Sequence, residues 1–326
     1  MNRNLILLLL LVVVAASAFF IWRSRKDPST NMERTESNFR IEDINTISRI
    51  LITNREGMRS DLKRVDDHWV INDQHRVRKT NIDHLLKGIN RQTMDHIPTK
   101  AATENILPSM AVNGIHVEIF DLAGNKMLGY YIGGVTQDER STYFLKEGSN
   151  QPYGLIDPGF DGSLRVRYAL RPVDWRDVRF WIEDTEQIDT LKVHYPKDRQ
   201  YSFMIFKKGG GYDVKPLFTT TPLKDNVNKV KIQSYLTTLE GLACENFLAD
   251  SPEKDSIVQS LPFMSMDMIY KDRRSYLRFF PVSAPAPQLA TTEVPRYFLD
   301  YNGKDFMIAQ HQVVKGALRS YDYFFE

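Results

Sequence analysis

One pattern occurs twice along this chain of 326 residues, and no other feature constrains its fold as strongly. Ile41-Glu42-Asp43 recurs as Ile182-Glu183-Asp184, and Ile47, Ile50 and Ile52 return at the same offset as Ile188, Leu191 and Val193. Trp69 and Ile71 answer to Tyr212 and Val214, each pair in an alternating strand after a charged or glycine-rich turn. A helix follows in both copies. Ile82, Leu85, Leu86 and Ile89 have the i, i+3, i+4, i+7 spacing of one buried face, and Ile232, Tyr235, Leu236 and Leu239 repeat it. Thr80 and Asp83 are placed to start the first of these helices as a capping box.

The match continues through paired hairpins. Val117 and Ile119 lead through a Gly-Asn turn to Leu128, Tyr130 and Ile132, as Met266 and Met268 lead to Tyr276, Arg278 and Phe280. Tyr143-Phe144-Leu145, then Tyr153 and Leu155, is echoed by Tyr297-Phe298-Leu299, then Phe306 and Ile308. Each copy reads as three strands, a helix, about four antiparallel strands and a short terminal helix. The expected fold class is therefore α+β: two tandem repeats, 39–175 and 176–326, each mainly antiparallel sheet with one or two helices. The Pro- and Ala-rich stretch from Pro281 to Thr292 reads as a surface insert in the second copy.

Ahead of the repeats, Leu5 to Trp22 carries no charge and only Ser17 as a polar residue. As a helix that run spans about 27 Å, close to a bilayer core. Residues 1–22 are read as a single transmembrane anchor and 23–38 as a flexible tether. Ala16-Ser17-Ala18 resembles a signal-peptide cleavage site, but the apolar run continues past it through Phe19, Phe20 and Ile21. Arg23, Arg25 and Lys26 outnumber Arg3 and the α-amine, which favours a cytoplasmic body. A large domain after a first apolar segment is commonly exported, which favours the other side.

The charge balance, 43 Lys plus Arg against 41 Asp plus Glu, gives no basic field for nucleic acid. The lone cysteine, Cys244, leaves no internal disulfide and no thiolate cluster. The seven histidines show no metal-ligand spacing, and no metal or cofactor is expected. Gly209-Gly210-Gly211 is not followed by Lys-Ser or Lys-Thr and reads as a hairpin turn rather than a phosphate loop. Ser163 lacks a Gly-x-Ser-x-Gly elbow. Asp66 with Asp67, or Asp43 with Asp184, supplies carboxylates for glycan cleavage, but turn positions account for all of them. No catalytic residue is assigned and the chain is read as non-enzymatic.

The candidate docking surface is Arg165, Arg167, Tyr168, Arg171, Trp175, Arg176, Arg179 and Trp181, arginines interleaved with aromatics as binding surfaces favour. The competing reading is structural: aromatics fill a core and arginines satisfy carbonyls and carboxylates.

The run Trp175-Arg176-Asp177-Val178-Arg179-Phe180-Trp181-Ile182-Glu183-Asp184, continuing to Ile188, Leu191 and Val193, resembles a known family. These are membrane-anchored bacterial proteins with a domain of unknown function that accompanies auxiliary components of ABC-type transporters and gliding machinery. Phe39, Ile41, Ile44, Ile47, Ile50, Ile52, Trp69 and the helix from Asn81 have the same look, so the resemblance covers most of Phe39 to Ile308. It implies an inner-membrane anchor, a body in the periplasm and an accessory role beside envelope or transporter subunits. It carries over no catalytic residue. The alternative is an envelope glycan-binding or glycan-hydrolysing domain.

Overall fold

The computed structural model of the chain describes residues 38–179, 185–282 and 294–325. The apolar segment 5–22, the tether up to residue 37, Phe180, Trp181, Ile182-Glu183-Asp184 and residues 283–293 of the insert lie outside the described residues. Among the described residues no helix is long and apolar enough to cross a membrane. The chain divides into two compact units, one up to Arg176 and one from Asp177 onward. Both are α+β, each a single antiparallel sheet with few helices.

In the first unit the strands are β1 (Ile47–Asn54), β2 (Arg59–Val65), β3 (His68–Ile71) and the short β4 (His75–Arg76). Helix α1 (Lys79–Arg91), β5 (Thr93–His96) and helix α2 (Lys100–Asn113) follow. The unit is completed by β6 (Ile115–Asp121), β7 (Lys126–Val135), β8 (Thr142–Lys146) and β9 (Pro152–Ile156). The nine strands lie in the order β4-β3-β2-β1-β6-β7-β8-β9-β5. The chain thus crosses from one edge to the other by α1 and returns to set β6 beside β1. Ile82, Leu85, Leu86 and Ile89 of α1 are buried, as their spacing requires. Thr80 and Asp83 form no capping box. The N-cap residue is Arg78, without a side-chain cap bond, and Asp83 accepts from Lys79 Nζ at 2.6 Å instead.

The second unit contains β10 (Thr190–His194), β11 (Phe203–Lys208), β12 (Gly211–Pro216), helix α3 (Lys229–Glu240) and β13 (Asn246–Phe247). Then come helix α4 (Lys254–Gln259), β14 (Met264–Ile269), β15 (Arg274–Pro281), β16 (Arg296–Tyr301), β17 (Asp305–Gln310) and the short helix α5 (His311–Val314). The order is β12-β11-β10-β14-β15-β16-β17-β13. Strand for strand this is the first sheet without β4. Registers agree too: Ile50 lies opposite Leu62 and Ile119, and Leu191 lies opposite Ile205 and Met268.

Past the first strands of the second hairpin, the sequence equivalences need a shift of one residue. Leu128, Tyr130 and Ile132 pair with Ile119, Val117 and Ile115 and are buried. The residues paired with Met268, Met266 and Met264 are Ser275, Leu277 and Phe279. These, and not the triplet Tyr276, Arg278 and Phe280, are the counterparts. Phe144 likewise corresponds to Leu299 rather than Phe298, because Phe144 lies opposite Ile132 and Leu299 opposite Phe279. Tyr153 and Leu155 correspond to Met307 and Ala309, not to Phe306 and Ile308. Side chains alternate between faces, so a slip of one residue exchanges inside for outside. Aromatics on the outer face (Tyr276, Phe298) and a second buried phenylalanine at Phe280 hide the true phase from a sequence reading.

The two-residue turns behave as their sequences demand. Val65 pairs with His68 across Asp66-Asp67, and Lys208 pairs with Gly211 across Gly209-Gly210, both glycines at positive φ. Asp43 caps a 3-10 turn, accepting from Asn45 N at 2.9 Å.

Asp300 in β16 is fully buried, with Oδ2 left without a hydrogen bond and Arg278 at 3.9 Å. Burial pushes its carboxyl above the ordinary value, and Arg278 and the Gly303 N–H only partly oppose this. The unfolded chain therefore loses this proton first. Stability falls as pH rises from about 3.9 through the higher folded value, and the penalty is complete above it. Asp300→Asn is expected to remove that fall and to stabilise the protein at pH 7 by on the order of 1 kcal/mol. Urea titrations at pH 4 and pH 7 check it, and an unchanged pH dependence would contradict the assignment.

Candidate functional site

After β9 the chain makes two 3-10 turns, Leu164–Arg167 and Pro172–Trp175, which carry Arg165, Arg167 and Trp175 of the arginine-aromatic segment, with Tyr168, Arg171 and Arg176 at their ends. The described residues of that segment differ in placement, and two of its aromatics lie inside the first unit. Tyr168 is buried in the core of the first unit, where its hydroxyl meets Tyr130 Oη at 2.9 Å and donates to Gln92 Oε1 at 3.2 Å. Burial holds its phenol well above the ordinary pKa. Trp175 is buried too, its indole N–H donating to the Ala169 carbonyl at 2.9 Å. Both rings are packing residues because their polar tips find partners inside.

The arginines divide by role. Arg165 donates to the carbonyls of Ile132, Gly133 and Asn113 at 2.9, 3.1 and 3.0 Å, and burial lowers its pKa. It closes strand and helix ends rather than facing a partner. Arg171 pairs with Asp174 at 2.6 Å on the surface. Arg176 forms a backbone bridge with Val77. Arg179 belongs to the second unit, paired with Asp177 at 2.8 Å, and Trp181 lies outside the described residues.

Arg167 is different. It lines a cleft of about 390 Å³ in the first unit, beside Asn81, His84, Lys87 and Arg91 of α1 and Asp157 and Phe160 of the turn after β9. Asp157 is almost fully buried beneath two guanidinium groups, with Arg167 Nη2 at 2.5 Å and Arg91 Nε at 3.3 Å. Arg167 Nη1 donates to the His84 carbonyl at 2.9 Å, and its guanidinium lies 4.4 Å from the centre of the Phe160 ring. Gly88 makes the approach possible, since a Cβ there would sit 2.9 Å from Arg167 Cδ. Asn81 Nδ2 donates to the Asp174 carbonyl at 2.9 Å and ties α1 to the second turn.

Sequence reasoning passes over His84, Lys87, Arg91, Asp157 and Phe160. The first three recur at helical spacing beside the buried stripe, the ordinary look of a solvated face. Asp157-Pro158-Gly159 has the composition of a turn. Only the return of the chain past β9 brings them together.

Among the described residues, the second unit does not repeat the side chains that line the cleft. Matching the buried faces of α1 and α3 sets Ser234, Thr237 and Gly241 where His84, Lys87 and Arg91 stand, and Thr238 where Gly88 stands. The strand register that equates Leu155 with Ala309 sets His311 at the position of Asp157.

His116, Glu118 and Glu147 bring one potential ligand atom each within 4.8 Å of one another. Lys126 Nζ already bridges the two carboxylates at 3.3 and 2.7 Å, so an ammonium supplies the cation there. Cys244 is a buried thiol. Glycoside hydrolysis asks for two carboxylates on one cleft. The cleft below α1 offers Asp157 alone, already held by two arginines.

Comparison of the chain with protein-family models, curated proteins and solved structures gives no match.

Proposed function

We propose that the chain is a single-pass membrane protein whose two sheet units form an extracytoplasmic interaction module, accessory to an ABC-type transport or envelope complex. The carrying observation is the same strand order twice over, downstream of an apolar segment of membrane-spanning length. What the two units have in common is a sheet and its edges, not a cleft, and shared sheets suit surface docking or strand addition better than shared chemistry. In the second unit β12 ends the sheet with no further strand beside it among the described residues, where the first unit adds β4 outside β3. The anchor reading places residues 5–22 in the bacterial inner membrane and the body in the periplasm. A tether lets such a body reach a neighbouring subunit at high effective concentration.

The test is crosslinking in intact cells of the C-terminally tagged full chain, with a version lacking residues 1–22 as control. Envelope or transporter subunits are expected to be recovered with the anchored form and depleted with the control. Recovery of the full chain in the soluble fraction, or of no envelope protein above background, would overturn the proposal.

A further inference from the structure

We propose that the cleft beneath α1 in the first unit binds a small organic oxyanion, a carboxylate or phosphate monoester carried on an apolar or aromatic group. The charge points that way. Lys87, Arg91 and Arg167 stand against Asp157 alone, which leaves a surplus of two positive charges at the cleft. Lys87 is exposed and has no ion pair among the described residues, and Arg91 is 41% exposed. The Lys87 head is therefore open to a ligand, while Arg91, whose Nη2 also donates to the Pro158 carbonyl, offers the donors that remain.

The buried pair beneath them is incompletely satisfied. Arg167 Nε is buried without an acceptor, and Asp157 Oδ1 lacks a hydrogen bond despite the nearby Arg91. Leaving buried polar atoms unpaired costs about 1–3 kcal/mol each. Unpaired buried groups of this kind call for an explanation, and a site that takes a ligand supplies one. Asp157 acts here as a positioning residue, fixing two guanidinium groups whose remaining N–H donors suit an oxyanion. Phe160, Val166 and Trp175 supply the apolar wall on which the ligand's carbon skeleton would rest.

The duplication gives an independent argument. The second unit builds the same helix on the same sheet with Ser234, Thr237 and Gly241 in place of His84, Lys87 and Arg91, and His311 in place of Asp157. The fold therefore does not require Lys87 and Arg91. They belong to the first unit alone, and a ligand explains what packing does not. The inference is independent of whether a protein partner docks elsewhere.

The experiment is calorimetric titration of the purified full chain with phenyl phosphate, benzoate and inorganic phosphate, repeated on Lys87→Thr and on Arg91→Ala. Lys87 is exposed and has no ion pair among the described residues, so Lys87→Thr keeps the fold, and circular dichroism checks both variants, Arg91 being also a partner of the buried Asp157. At least one aromatic anion is expected to bind, more tightly than inorganic phosphate. Each substitution is expected to weaken it about tenfold, the scale of one lost charge-assisted contact. Tighter binding of phenyl phosphate assigns a phosphate monoester, and tighter binding of benzoate a carboxylate. Equal binding of inorganic phosphate would overturn the organic carrier. No binding of any probe, or binding unchanged in both variants, would overturn the site.

Discussion

Leu277→Lys is expected to unfold the second unit, while Tyr276→Lys, one residue earlier on β15, leaves it folded. Leu277 is fully buried, opposite Met266 on one side and Tyr301 on the other. An ammonium there has no partner and costs more than about 4 kcal/mol, a large part of the 5–15 kcal/mol that holds a domain together. Tyr276 points the other way. Its ring is half-buried under the Arg278 guanidinium at 4.6 Å, and the residue lies opposite Asp267, so a lysine meets an acidic neighbour. The expected change is within about 1 kcal/mol. Hydrogen exchange followed by mass spectrometry reads peptides of β14 to β17 directly. Equal loss of protection in both variants would show that the register across this hairpin is wrong.

Phe39→Ala should destabilise the first unit by about 3–5 kcal/mol, the usual result of emptying a buried aromatic site. Phe39 packs edge-on against Tyr130, Phe144 and Tyr153 with ring centres 6.0, 5.8 and 5.9 Å away. Its carbonyl accepts from Gln92 Nε2 at 2.5 Å, and Gln92 continues to Tyr168 and Tyr130. The substitution removes the ring from a network of buried polar groups that depends on close packing. In urea titrations the transition of the first unit should move to lower denaturant, with exchange rising in β7 to β9. A loss below about 1 kcal/mol would mean that the segment at Phe39 merely lies against the sheet instead of completing its core.

Much of the architecture was legible from residue order. Ile50, Ile52, Leu191 and Val193 announce buried strands, and the stripes from Ile82 and Ile232 announce the two helices, because period alone distinguishes the two structures. The hairpin turns at Asp66-Asp67 and Gly209-Gly210 were legible for a similar reason, since few residues tolerate the backbone they need. Helix α2 was harder to see. Pro108 lies within it, and its buried residues, Ile106 and Met110, are too few to mark a stripe.

The cleft was not legible, since His84 and Arg91 come from a helix while Asp157, Phe160 and Arg167 follow the last strand. The aromatic-arginine segment misled in the opposite sense. Tyr168 and Trp175 look like surface anchors in sequence, but each finds a buried partner, Tyr130 and the Ala169 carbonyl, that composition does not reveal.

By itself, then, the order of residues determined two copies of one α+β pattern, the helical faces and the tight turns, all set by contacts between residues close in the chain. The tertiary structure alone decided the phase of β15 to β17, the sinking of Tyr168 and Trp175, and the meeting of α1 with Asp157 and Arg167. Those outcomes depend on which distant strand or turn lies opposite, and a one-residue slip or a different neighbour changes them without altering any local signal.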